Sequence, residues 1–285
     1  MSILNEKTTL TGGVEIPVLG LGTWFIEDDQ AAEAVRTAIE IGYRNIDTAQ
    51  AYGNERGVGE GVRTSGVPRE ELFVSSKLAA EIKDYDGAVA AIDESLERLG
   101  IGHLDLMLIH APQPWDDFRG GDYAEGNREA WRALEDAHRA GKLRSIGVSN
   151  FLPADLGNVI DHGTVTPHVN QVLAHPGNTP HELIDCCREQ GILIEAYSPM
   201  GHGEILRHPD LQAMAQTYDV SVAQLCIRYT LQLGAVSLPK TANPEHMRSN
   251  AAVDFVISDE DMATLRDLQA SDYGESSDFP VYSGK

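Results

Sequence analysis

Short apolar runs rich in β-branched residues alternate with longer amphipathic stretches along almost the whole chain. The short runs lie at 20–23, 44–47, 72–77, 104–110, 145–149, 169–173, 193–197 and 235–238, and they read as eight strands. Helical patterns fill the spaces between them, at 29–41, 55–65, 84–99, 128–140, 153–161, 180–190, 209–218, 221–233 and 244–252. The third helix shows how the boundaries are set. Asp84 is a cap, Ala88, Ile92, Leu96 and Leu99 form its apolar stripe, and Gly100 ends it. Gly42, Gly141 and Gly191 close other helices in the same way, and Pro153 and Pro180 suit first-turn positions. Ahead of the first strand, residues 9–16 alternate around Gly12-Gly13, a hairpin signal suited to covering the bottom of a barrel. The tail, 271–285, has no periodicity and reads as a loop.

Alternating strands and helices predict a parallel sheet with helices packed on it. Eight such units favour a (β/α)8 TIM barrel, spanning 1–285 as one domain, with an N-terminal β-hairpin and a C-terminal loop over the active site. An open doubly wound sheet is the competing architecture. It lacks its usual phosphate turn here: Gly20-Leu21-Gly22 is followed by Phe25 and Gly57-Val58-Gly59 by Val62, so neither completes G-x-G-x-x-G.

Composition narrows the function. Asp and Glu total 44 against 22 Lys and Arg, a formal net charge of -22. With no basic run, this argues against nucleic acid and anionic membranes as partners. No apolar run approaches the ~18 residues of a membrane span. Three cysteines without a C-x-x-C support neither a disulfide scaffold nor a zinc ribbon, and His181-Glu182 lacks the second histidine of H-E-x-x-H, so no metal site is expected. Residues 1–7 carry no signal-peptide pattern, and the expected address is the cytoplasm.

In a barrel of this kind, chemistry collects at the C-terminal ends of the strands. Those ends carry Asp47 with Tyr52 just beyond, then Lys77, His110, Ser149-Asn150, Gln171, Tyr197-Ser198 and Pro239-Lys240. Each has an ordinary structural role when taken singly: a cap, a packing ring, a solvated lysine. Asp47, Tyr52, Lys77 and His110 on adjacent strands converge, and burying them together is costly without mutual pairing. Paired, they form a general acid and an electrophilic clamp for a developing alkoxide. A lysine beside the phenol is expected to lower its pKa, while the aspartate offsets the desolvation of the lysine.

The run 42–49 (Gly-Tyr-Arg-Asn-Ile-Asp-Thr-Ala) with Tyr52-Gly53-Asn54-Glu55 resembles the first signature of the aldo-keto reductases. So do the histidine strand 104–110, the segment Gly147-Val148-Ser149-Asn150-Phe151, and Pro239-Lys240-Thr241. The resemblance spans essentially the whole chain. The short tail and Trp115 loop look most like bacterial members resembling 2,5-diketo-D-gluconic acid reductase.

The resemblance implies NADP(H), bound extended, with NAD(H) as the second candidate. It makes Tyr52 the proton donor, Lys77 and Asp47 its tuning groups, and His110 the residue that orients the carbonyl. Thr23, Trp24 and Asp47 would border the cofactor, Ser149, Asn150 and Gln171 would hold its carboxamide, and Tyr197 would stack on the nicotinamide. Ser198, Pro199, Met200 and Gly201 would line the pyrophosphate, with Lys240, Thr241, Asn243, His246 and Asn250 around the adenosine end. The substrate wall would comprise Trp24, Tyr52, His110 and Trp115, with segment 112–126 and the tail around 273–279. Ala111, where many relatives carry an aromatic, widens the pocket.

The expected activity is reduction of a small-molecule aldehyde, ketone or keto acid, by a monomer in preference to an oligomer. Two rivals exist. One is a nucleotide-binding regulatory subunit with little catalysis, though no exposed apolar helix supplies a partner surface. The other is a Schiff-base lyase using Lys77.

Overall fold

The computed structural model describes residues 2–270 and 272–283; Met1, Ser271, Gly284 and Lys285, which belong to the 1–285 span, lie outside the described residues. The chain opens with an antiparallel hairpin, β1 (Lys7–Thr9) and β2 (Glu15–Pro17), in which Thr9 faces Glu15. Eight strands follow: β3 (Gly20–Gly22), β4 (Asn45–Asp47), β5 (Phe73–Leu78), β6 (Leu104–Ile109), β7 (Leu143–Ser149), β8 (Val169–Leu173), β9 (Leu193–Tyr197) and β10 (Val236–Leu238). They pair in sequence order and all in parallel. Closure comes from parallel bridges between Leu19 and Ser237 and between Gly22 and Lys240. The Gly22 amide donates to the Pro239 carbonyl at 3.0 Å and the Ser237 amide to the Val18 carbonyl at 2.9 Å. The sheet is therefore a (β/α)8 barrel rather than an open doubly wound sheet.

The surrounding helices are α1 (Asp28–Ile41), α2 (Glu55–Thr64), α3 (Tyr85–Leu99), α4 (Ala124–Arg139), α5 (Pro153–His162), α6 (His181–Glu189), α7 (Pro209–Thr217), α8 (Val222–Gln232), α9 (Pro244–Ala251) and α10 (Asp259–Asp267). The Asp84 carboxylate caps α3 by accepting from the Gly87 amide, and Gly100 closes it in the left-handed region. The hydrophobic pattern does not point to α10. It starts at the Ser258 cap and buries only Leu265.

Successive strand residues face opposite sides, and this builds two cores. Outward-facing Ile46, Val74, Met107, Ile146, Val172 and Ala196 pack under the helices. Inward-facing Phe73, Leu106, Leu108, Val169, Val236 and Leu238 fill the lower barrel, joined by Leu10 and Ile16 from the hairpin. The hairpin is thus a plug for the barrel bottom. The interior is close-packed: a Cβ on Gly147 would lie 2.5 Å from the Val169 carbonyl oxygen and 2.8 Å from a Leu108 methyl.

The tail departs from the loop read for 271–285. A 3₁₀ turn at Gly274–Asp278 leads into a one-turn helix at Pro280–Ser283. Among the described residues, no helix is long and apolar enough to cross a membrane, and no group of His, Cys, Asp and Glu is arranged to hold a metal ion.

Candidate active site

At the C-terminal end of the barrel lies a cavity of about 370 Å³. Its lining includes Thr23, Trp24, Asp47, Tyr52, His110, Trp115, Ser149, Asn150, Gln171, Tyr197, Ser198 and Lys240, all identified beforehand. The strands bring them together by the same period of two that built the two cores. Above Phe73 the inward positions of β5 are Ser75 and Lys77; above Leu108 on β6 comes His110.

The floor is a charged cluster. Lys77 is fully buried, and its ammonium donates to both Asp47 oxygens at 2.8 and 2.7 Å, to the Thr48 carbonyl at 2.9 Å and to the Tyr52 phenol at 3.3 Å. Each of its three N–H groups thus has an acceptor in reach, which is what a lysine needs to stay charged without water. Burial works against the Lys77 charge, but Asp47 and then Tyr52 hold its pKa above the usual lysine value. His110 touches the Tyr52 ring edge-on at 5.7 Å and the Trp115 ring at 5.2 Å. Burial first, then the Lys77 and Lys83 charges, push its pKa well below the ordinary histidine range, so the imidazole is neutral.

Tyr52 corrects one expectation. Lys77 does draw its pKa down, but desolvation is larger, Asp47 adds to it, and the net direction is upward. The phenol is accordingly a protonated group held beside a cation. That suits a proton donor and does not suit a resting phenolate.

Beside this floor, Gln171 donates its amide nitrogen to Asp47 Oδ1 at 3.0 Å and to Glu195 Oε2 at 2.9 Å. Asn150, in the left-handed region at φ 61°, donates to the His110 carbonyl and to Ser149 Oγ and accepts from the Tyr197 phenol at 2.7 Å. Tyr197 is thereby pinned at the cavity wall. At the far edge Lys240 is exposed and has no ion pair among the described residues; partial burial lowers its pKa.

The segment 199–201 follows Ser198, with Pro199 and Gly201 buried and Met200 half-buried. In α9, Asn250 is buried, His246 is exposed, and Asn243 spends its side-chain oxygen on capping the helix through the Glu245 amide. Thr241 accepts from the Asn243 amide at 3.0 Å.

The tail forms the roof. Phe279, Pro280 and Val281 line the cavity, Phe279 meets Trp24 edge-on at 5.2 Å, and the Tyr282 phenol donates to Ser198 Oγ at 2.9 Å. Lower down, His175 Nδ1 donates to the Pro176 carbonyl, which leaves Nε2 to accept from Tyr273 at 3.1 Å.

Three contributors escaped the sequence reading. His202 packs between Trp24 at 5.0 Å and Tyr282 at 4.9 Å, and no local pattern marks it. Val281 lies just beyond the 273–279 stretch read as wall and required the fold of the tail. Glu195 did leave a signal, as a carboxylate inside an otherwise apolar strand.

The sequence profile described as the aldo/keto reductase family matches residues 18–270. The chain belongs to the aldo/keto reductase family. Among its relatives is the glyoxal reductase of Bacillus subtilis (strain 168), 44% identical over 261 residues, which cover 91% of each protein. An aldo/keto reductase structure from Brucella melitensis superposes with a TM-score of 0.86 at 37% identity, covering 93% of this chain and 98% of that one. A Bombyx mori aldo-keto reductase in complex with NADP superposes with a TM-score of 0.85 at 34% identity, covering 97% and 98% respectively.

Proposed function

We propose that this aldo/keto reductase reduces the carbonyl group of small aldehydes, ketones or keto acids with NADPH, and that it works as a single-domain, monomeric, cytoplasmic enzyme. Nucleic acid plays no part in this reading. One observation carries it: a buried lysine bonded at once to an aspartate and to a tyrosine phenol, on a cavity floor shared with a neutral histidine.

The residues fit a nicotinamide cofactor. Ser149, Asn150 and Gln171 cluster beside the Tyr197 ring, as a carboxamide on a flat heterocycle requires. Lys240, without an ion pair among the described residues, suits a phosphate at the cavity edge. When bound, the nicotinamide supplies the hydride.

The chain supplies the rest. Tyr52 holds a proton on its phenol oxygen and gives it to the carbonyl oxygen as charge develops there. Lys77 stabilises the phenolate left behind, and Asp47 keeps Lys77 in place at 2.7 Å. His110, being neutral, is free to hydrogen-bond the carbonyl oxygen without carrying charge into the site. Trp24, Trp115 and Phe279 keep the substrate end apolar, which limits water beside the reacting atoms. The test is cofactor oxidation with a panel of aldehydes, ketones and keto acids, run with NADPH and with NADH. Turnover of several carbonyls is expected. Cofactor binding without turnover of any of them would favour a regulatory subunit instead.

A further inference from the structure

Glu195 stands in the middle of β9, inside the barrel and fully buried. Its neighbours on the interior face are Leu193 below and Tyr197 above. One carboxylate oxygen accepts from Gln171 at 2.9 Å; the other, Oε1, is buried with no hydrogen-bond partner. A buried carboxyl placed so costs stability, and a leucine would fill the space without that cost. Its retention needs a reason in the site above it.

Gln171 supplies that reason. Its amide nitrogen has two N–H groups, and they diverge by ~120° in the amide plane. One goes to Asp47 and the other to Glu195. With both committed, the carbonyl oxygen is the polar atom left for a ligand on this side chain, and Gln171 lines the cavity. Asp47 alone decides which end of the amide faces inward, but a single hydrogen bond lets the amide plane swing about it. The second anchor stops that rotation. Asp47 is itself held by Lys77 and Ser75, so the frame is rigid.

We propose that Glu195 is a positioning residue for the cofactor: it locks the Gln171 amide so that its carbonyl oxygen accepts from the amino group of the nicotinamide carboxamide. The proposal rests on the nicotinamide reading above and adds to it one residue outside the cavity. The role needs only an acceptor oxygen on Glu195, which either protonation state provides. The cost of a buried carboxyl then serves the precision of a neighbouring group.

The test compares binding of NADP⁺ with binding of its 3-acetylpyridine analogue, which keeps the ring carbonyl and lacks the amino group. Affinities are read from tryptophan fluorescence with the full chain, so no turnover is needed. The wild type is expected to favour NADP⁺ over the analogue. Glu195→Met is expected to lose roughly tenfold in NADP⁺ affinity, the loss of about one hydrogen bond, with the analogue unaffected, so the preference collapses. Glu195→Gln, which keeps an oxygen facing Gln171, restores most of it. Should Glu195→Met fail to fold, Glu195→Asp withdraws the acceptor by one methylene and carries the same expectation. A Met or Asp variant that keeps the wild-type preference overturns the proposal, and so does equal loss for both ligands, which marks a merely structural role. A wild type that binds NADP⁺ without discriminating against the analogue overturns it as well. A wild type that binds neither overturns the nicotinamide reading on which it rests.

Discussion

Phe73, Ser75 and Lys77 point into the barrel from β5; Leu106, Leu108 and His110 do so from the β6 strand and its end; Leu193, Glu195 and Tyr197 do so from β9. Read upward, each series passes from apolar to polar. Phe73, Leu106 and Leu108 form one apolar core with the hairpin residues Leu10 and Ile16. Lys77, His110 and Tyr197 lie four residues above the first member of each series, where Lys77 is pinned by an aspartate and Tyr197 by Asn150. The backbone is continuous, and on β5 and β6 so is the burial. What changes is whether a side chain is satisfied by dispersion or needs named partners. The lower region tolerates any apolar residue of the right volume. The upper region tolerates little, because each buried polar atom there depends on the next. Stability and chemistry are thus stacked along the same strands.

The sharpest way to break this comparison is at the top. Tyr52→Phe is expected to lower kcat by about 10²–10⁴-fold, the usual worth of a positioned general acid, with NADPH affinity nearly unchanged. Lys77→Met should disable turnover similarly, and the double variant should cost far less than the product of the two, since the residues act as one unit. Steady-state kinetics with cofactor titration checks this. Near wild-type kcat in Tyr52→Phe, or simple multiplication in the double variant, would refute the assignment.

The matching change at the bottom is Leu106→Ala. It removes a fully buried side chain from the lower barrel core and is expected to cost about 2–5 kcal/mol of stability. Urea unfolding measures the loss. Turnover by the fraction that remains folded should be close to that of the wild type, because the cavity lies above this layer. A large drop in kcat at full folding would show that the two regions are not separable.

Glu195 lies between the two regions and should report on both. Burial first, then the Asp47 charge, push its carboxyl up from the ordinary 4.5 to about 7, while the Gln171 bond and the Lys77 charge act the other way. The folded state therefore binds this proton more tightly than the unfolded state. The resulting contribution is fully present below pH ~4.5 and is lost as the pH rises through about 7, a change on the order of 3 kcal/mol at most. Glu195→Gln lacks the ionisable group. Its stability relative to the wild type should therefore rise by up to that amount between pH 4.5 and pH 8 in urea titrations. A difference that stays flat across this window would mean that the Glu195 carboxyl is not raised in the folded protein above its unfolded value.

How far these regions were legible beforehand follows from their physics. The period of two and the Gly, Pro and Asp boundaries are local, so the eight strands and the plug hairpin could be read from the chain, with ends displaced by a residue or two. Helix α10 escaped because a helix that buries only Leu265 leaves almost no apolar stripe. The polar top was legible because residues at neighbouring strand ends must converge once the barrel closes. The direction of the Tyr52 pKa was not, because it depends on how completely the cavity walls exclude water, and that is a tertiary quantity. The tail was legible as a cover over the site, but its inner structure was not, for the same reason. Pro280 and Tyr282 acquire their roles only when the tail folds back onto Ser198 and Trp24.

The smallest expected effect lies at the rim of the upper region, where the packing constraint fades. On the cofactor reading proposed above, the adenosine end would meet Lys240 and then α9, where His246 and Asn250 lie one turn apart. Residues four apart share a helix face, so buried Asn250 and exposed His246 flank the same approach. Arg248, two positions on, points elsewhere. Lys240 is a point charge, and an imidazole cannot form the bidentate fork of a guanidinium. On that reading the 2′-phosphate of NADPH would meet weaker recognition than an arginine at position 246 would give. His246→Arg is expected to strengthen NADPH binding by about 1–3 kcal/mol, the range for a charged hydrogen bond, and to leave NADH binding almost unchanged. Because the position is exposed, the protein's stability should not move with it, in contrast to Leu106→Ala. Fluorescence titration of both cofactors decides the matter. If the NADPH to NADH ratio stays the same in His246→Arg while Arg248→Ala loses NADPH, the phosphate is held from the other face of α9, and His246 has no part in choosing the cofactor.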